Sequence, residues 1–276
     1  MTRSKGWAFL ALLSLLLTAC NYTVPLTIAR ILVSSKAQVT PPALDSPTSE
    51  ETESFDPILS RVIRREDNEE EGYSIYLEHP EMSQAGEAGD LFNHMIEQLM
   101  IAQLGSFRTT VHELDEASKE LGKSTYTLSY TMYRNDPQFI SLLLVEDIYY
   151  AGAAHSGRKH SVVNYDIGRS QFLEMPDLFI EGSPYQIIIS QYIFQELNER
   201  YEDDVDISGL NTLLEDDPLW NVTANGLLVT IEEYQILSYV EGSPQVLVPY
   251  EILIDTIDPN GPLGIFVPRE KLFITG

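Results

Sequence analysis

The chain has 276 residues and sets 42 Asp and Glu against 17 Lys and Arg, a formal charge of −25 at pH 7. That balance repels nucleic acid and anionic lipid head groups, so neither is expected as a partner, whereas a basic protein would be drawn in. Cys20 is the only cysteine, which leaves no partner for a disulfide.

Arg3 and Lys5 precede an apolar run from Trp7 to Leu17, and small residues lead from there to Cys20. Cations, an apolar run and small residues in that order form a secretory signal. A run of about eleven residues is too short for a bilayer core, which takes roughly twenty, so cleavage is expected rather than retention. Leu17-Thr18-Ala19-Cys20 resembles the bacterial lipobox. The resemblance implies diacylglycerol and palmitate on Cys20 and an extracytoplasmic protein anchored to the cell membrane by lipid, on the inner or outer membrane of a two-membrane cell. Since one acyl chain holds a protein only marginally, multiple acylation of Cys20 would make the anchor stable. Residues 1–19 are thus the expected signal peptide. In residues 20–54, Pro25, Pro41, Pro42 and Pro47 lie among Ser, Thr and Glu with one apolar patch, Ile28 to Val33. Such composition buries too little apolar surface to offset ordering, and it reads as a tether.

From Phe55 the composition becomes that of a folded protein. Residues 55–120 read as a strand–helix unit. Arg61–Arg65 and Gly72–Leu77 are strands joined by an acidic turn, Glu66–Glu71, with Pro80 closing the second. Asp90 is expected to cap a helix whose apolar positions Leu91, Phe92, Met95, Ile96, Leu99 and Ala102 follow helical spacing. Residues 121–276 begin with a predicted antiparallel meander, Thr125–Tyr133, Phe139–Tyr150 and Ser161–Tyr165, with residues 151–160 as a loop. Ser183-Pro184 starts a second helix that ends near Arg200, and a short helix fits Leu210–Leu214. Asn225-Gly226 predicts a type I′ hairpin turn between Trp220 and Ile231. Further strands are expected at Gln235–Tyr239, Val246–Pro249 and Gly264–Val267. The predicted fold class is α+β: antiparallel sheet with two main helices packed on it, in two intimately associated subdomains.

An ordered set of short motifs runs through this region. Ser141-Leu142-Leu143 leads to Tyr150-Ala151-Gly152-Ala153-Ala154-His155, then come Asn164-Tyr165-Asp166, Gly168 and Asp177-Leu178-Phe179. The helix from Ser183, Asn225-Gly226, Gly242 and Val248-Pro249-Tyr250 complete it. In that order they resemble the extracytoplasmic domain family shared by the anti-sigma factor RsiV and the peptidoglycan deacetylase PdaC, over roughly 125–255 and more weakly over 58–104. The resemblance implies envelope binding or sensing, with peptidoglycan or a basic lysozyme-like protein as partner. Only five residues stand before the first apolar run, so sigma-factor sequestration is not expected. With the chain closing at Gly276, a separate deacetylase domain is not expected either. The family's loop reads Gly-Gly-Ala-His, whereas here Ala153 and Ala154 lie between Gly152 and His155.

The loop after Tyr150 is a local concentration of cationic groups on a very acidic chain, with His155, Arg158, Lys159 and His160. Together with the Tyr150 ring they form the expected binding residues for an anion or saccharide. No metal or cofactor is expected, since no third ligand is spaced to join the two histidines. Ser156, His155 and Asp166 could be assembled into a triad, but no G-x-S-x-G elbow exposes the serine. Among 42 acids no carboxylate pair stands out, Glu146, Asp147, Glu232 and Glu233 included. The expectation is a non-enzymatic cell-surface lipoprotein that binds a cell-wall saccharide or a basic protein. The competing expectation is a peptidoglycan-acting hydrolase or an accessory subunit of one.

Overall fold

The computed structural model describes residues 58–83, 86–201, 214, 218–233, 235–236 and 242–268. The expected signal peptide, Cys20, the tether, residues 210–213 and residues 237–239 lie outside the described residues.

β1 (Ile58–Asn68) and β2 (Tyr73–Ser83) form an antiparallel hairpin. Its strands run further than the charge pattern predicts. Glu66 and Asp67 belong to β1, opposite Ile75 and Ser74, and the turn is closed by Gly72 at φ +72°. β2 also continues through Pro80. That proline is tolerated because pairing with the next strand ends at Leu77, so its missing N–H breaks no bond on that side.

The chain then crosses over through α1 (Gly86–Glu113) and returns as β3 (Ser124–Asn135), parallel to β2 with Tyr73 opposite Ser124. α1 lays one stripe on the sheet, burying Phe92, Ile96, Met100, Phe107 and Val111. Asp90 is inside this helix and does not cap it; the helix starts a turn earlier, at Gly86. A single turn, α2 (Glu116–Lys119), is capped by the Asp115 carboxylate on the Ser118 N–H.

β3, β4 (Phe139–Tyr149), β5 (Gly157–Asp166) and the two-residue β6 (Gln171–Phe172) complete a six-stranded sheet in sequence order. The meander is as predicted, but β5 starts at Gly157, so Arg158, Lys159 and His160 are strand residues and not loop. Three consecutive polar residues, of which Arg158 and Lys159 are exposed, mask the strand's alternation. A second sheet contains β7 (Leu219–Val222), β8 (Gly226–Thr230) and β9 (Gln245–Pro249), all antiparallel. α3 (Tyr185–Tyr201) buries Ile189, Ile193 and Leu197 in the same core, and α4 (Tyr250–Leu253) follows β9 directly. The fold is α+β, with two sheets that are mostly antiparallel.

Two local expectations fail for identifiable reasons. Asn225-Gly226 is not a type I′ turn, as neither residue has positive φ. Thr223 organises the connection instead, its hydroxyl accepting from the N–H groups of Asn225 and Gly226. Gly226 is required for close approach, since a Cβ there would lie 2.2 Å from the Val248 carbonyl oxygen on β9. Gly264–Phe266 is a 3₁₀ turn and not a strand, closed by the Phe266 N–H on the Leu263 carbonyl.

β4 is buried on both sides. Ile140, Leu142 and Leu144 enter the core under α1, while Phe139 enters the core of the second sheet. Between the sheets lies a buried polar junction. The Ser141 hydroxyl donates to Asn164 Oδ1 at 2.6 Å and accepts from Asn221 Nδ2 at 3.0 Å and from the Val222 N–H at 2.9 Å. Asn221 Nδ2 also reaches the Leu142 carbonyl, and Asn164 Nδ2 donates to the Trp220 carbonyl at 2.7 Å.

Candidate functional site

The end of β4, the 150–156 connection and the start of β5 enclose a hollow of about 260 Å³ lined by Ile148, Tyr150, Ala153, His155, Gly157, Arg158 and Lys159. Its base is fixed in three ways. The Ala151 N–H donates to Ser124 Oγ at 3.0 Å, and the Ala153 N–H donates to the Tyr150 carbonyl at 2.9 Å. Gly152, at φ +84°, runs close against α2, where an added Cβ would sit 3.1 Å from Ser118 Oγ. The half-buried Tyr150 ring stacks on Phe107 of α1 with centroids 5.7 Å apart and planes at 27°. Phe107 in turn meets the Tyr126 ring at 5.5 Å. The wall of the hollow is therefore rigid aromatic core, and its rim is cationic.

Four of the five expected residues line this hollow: Tyr150, His155, Arg158 and Lys159. His155 Nδ1 lies 2.9 Å from the Ser156 carbonyl oxygen, to which it donates. Arg158 clamps Asp147 with two bonds, 2.8 and 3.2 Å, so much of its charge is answered within the sheet. His160 lies elsewhere. It shares a face of β5 with Arg158 but lies further along the strand, where its backbone N–H and Nδ1 lie 3.2 Å from the two Glu232 oxygens. Residues of β5 separated by one share a face, so Lys159 projects to the other one, a division that a loop reading of 151–160 conceals.

Further along the same face lies a buried acid. Glu146 is 3% exposed and its carboxylate accepts from the Tyr126 hydroxyl at 2.8 Å. Burial pushes its carboxyl above the usual carboxylate range, against the opposing pull of that hydrogen bond and of the Lys159 charge. The Tyr126 hydroxyl is likewise raised, by burial and then by the neighbouring acid. A cavity of about 10 Å³, room for about one water, adjoins the pair between Met100, Gln103 and Ser161. One sequence signal points to Glu146. It shares parity with Leu142 and Leu144 in an otherwise apolar strand, which places it on the buried face.

Among the described residues no group of three or more His, Cys, Asp or Glu is placed to hold a metal ion. None of the described helices is long and apolar enough to cross a membrane.

The second sheet and its helix carry the family relationship. Residues 176–251 match the family described as a protein of unknown function, DUF3298. The match takes in α3, β7, β8, all of β9 and the start of α4, and it includes Asn221 of the polar junction; the hollow lies outside it. Two crystal structures of DUF3298 family proteins share the fold. One, from Pseudomonas aeruginosa PAO1, is 13% identical with a TM-score of 0.57, covering 75% of this chain and 97% of its own. The other, from Bacteroides fragilis NCTC 9343, is also 13% identical with a TM-score of 0.57, over 77% and 98% of the two chains. At 13% identity the likeness to these two structures is one of fold. No curated protein matches the chain.

Proposed function

We propose that the chain is a non-enzymatic, extracytoplasmic lipoprotein of the RsiV- and PdaC-like kind that binds a cell-wall saccharide in the hollow beside Tyr150. The observation that carries this reading is the hollow itself. A half-buried tyrosine ring held by Phe107 gives a sugar ring an apolar wall, and His155 and Lys159 supply polar contacts at the rim. Its volume of about 260 Å³ suits a sugar unit and not an extended glycan. Lipid on Cys20 would hold the module at the membrane, within reach of the wall. Labelled palmitate should enter the parent chain and not the Cys20→Ser variant.

Calorimetric titration of the full chain with soluble peptidoglycan disaccharide tests the reading. Binding should weaken at least tenfold in Tyr150→Ala and Lys159→Glu and stay unchanged in His160→Ala, which lies outside the hollow against Glu232. Absence of binding, or binding indifferent to the first two changes, overturns it.

Two other readings have an observation each. The charge of −25 favours a basic protein partner such as lysozyme, whose capture would fail at high salt. The raised carboxyl of Glu146 favours a hydrolase, because burial that makes a carboxyl hold its proton more tightly suits it to donate to a leaving group. Release of soluble sugar from purified wall, abolished by Glu146→Gln, would establish that activity in place of simple binding.

A further inference from the structure

The six-stranded sheet has two unlike edges. β6 is two residues long, whereas β1 is an 11-residue strand with β2 on one side and no described strand on the other. Residues 60–61 and 63–67 of β1 are exposed, Ile63 at 44%. Such an edge offers a row of backbone N–H and C=O groups to another strand. Charged side chains ordinarily discourage that pairing by repulsion. On β1, however, the charges are sorted, with Arg64-Arg65 followed by Glu66-Asp67. Among the described residues neither Arg64 nor Arg65 enters an ion pair, and Arg65 lies over the Tyr76 ring at 5.3 Å.

We infer that β1 is a homotypic docking edge, on which a second copy of this chain adds its own β1 antiparallel to make one continuous twelve-stranded sheet. A two-fold axis perpendicular to the sheet reverses strand direction and keeps the faces, so it pairs residues of equal parity. Centred on Arg65, it sets Arg64 of each copy opposite Glu66 of the other. On the other face the two Arg65 side chains meet at the axis, each diagonal to the opposing Asp67. The Arg64–Glu66 face is thereby neutralised, and on the other face the diagonal Asp67, which also holds Lys123, offsets the meeting of the two arginines. In-register parallel pairing would place like on like, which destabilises a sheet as surely as opposite charges stabilise it. Glu66 is already held on the α1 side by Arg108 and Tyr73, which fixes its place for an incoming arginine. The overall negative charge opposes association at long range, but at about 0.15 M salt it is screened beyond roughly 8 Å, while contacts at the edge persist.

The test uses the full chain with Cys20→Ser, so that no lipid drives association, and light scattering over a concentration series. The mass should rise from 31.1 kDa towards twice that value. Arg64→Glu with Arg65→Glu leaves only acids over residues 64–67 of the edge and should weaken association at least tenfold, whereas Arg64→Lys with Arg65→Lys should preserve it. Glu66→Arg with Asp67→Arg should also stay monomeric alone, and mixed with the all-acidic variant it should restore a dimer. A parent chain that is monomeric throughout, or an all-acidic variant that associates as strongly as the parent, overturns the inference. If the all-basic variant fails to fold, the lysine and all-acidic variants decide between them.

Discussion

Glu146 and Lys159 stand directly opposite each other across β4 and β5, yet the carboxyl is buried and the ammonium-bearing residue is exposed. Burial therefore governs the acid. Its folded-state affinity for a proton is raised above that of the unfolded chain, about pH 4.3. The stability this contributes is complete below that pH and is lost as pH rises through the folded value. Glu146→Gln keeps the shape and cannot ionise. It should match the parent near pH 4 and melt about 2–4 °C higher at pH 7, as read by thermal unfolding across pH.

His79 carries the opposite sign. It is buried on β2, burial lowers its proton affinity, and its Nε2 has no hydrogen-bond partner. Stability linked to it is present above the unfolded value, about 6.5, and is lost as pH falls through the folded value. His79→Leu should remove that loss. Urea midpoints of parent and variant should diverge as pH drops from 7 to 5, the variant being the steadier.

Gly226→Ala should destabilise by about 3 kcal/mol or more, since the new methyl would meet the β9 backbone, which cannot yield as a side-chain tip does. Asn225→Ala should cost less than about 0.5 kcal/mol, a surface-like effect. A type I′ turn would make Asn225 the sensitive position instead, and chemical denaturation of the two variants separates the cases.

Ser141→Ala leaves the buried Val222 N–H without its acceptor and strips Asn164 of a donor. A loss of about 1–3 kcal/mol is expected. Because the hydroxyl joins β4 to β7, hydrogen exchange should accelerate in both sheets, and acceleration confined to one of them would show that the junction does not couple them.

The strands were legible where one face is apolar. β3 alternates and β4 opens as a nearly continuous apolar run, and their predicted limits are within two residues of the observed ones. β5 was only half legible because Arg158, Lys159 and His160 are polar on both faces at the sheet's rim, so no alternation survives. The parallel pairing of β2 with β3 has no local signature, as it depends on how a 28-residue helix packs back on the sheet. The hollow was legible in part. A cationic cluster beside a tyrosine marks residues, but the division of His160 from Lys159 needs the strand register. Glu146 was obscured by number: it is one of 42 acids, and only packing from α1 tells which of them loses its water.

The order of the strands also governs how the molecule would carry load. β1 comes first in the described chain and lies outermost in the sheet. A pull from its N-terminal side reaches β1 before any other strand. At Ile58 that pull arrives at the open end of the hairpin, opposite Ser83, and can peel the β1–β2 bonds one after another. The crossover helix and the hollow beside Tyr150 lie beyond that first barrier. A chain tethered at its N-terminal side would thus yield at one weak margin while the hollow stayed intact.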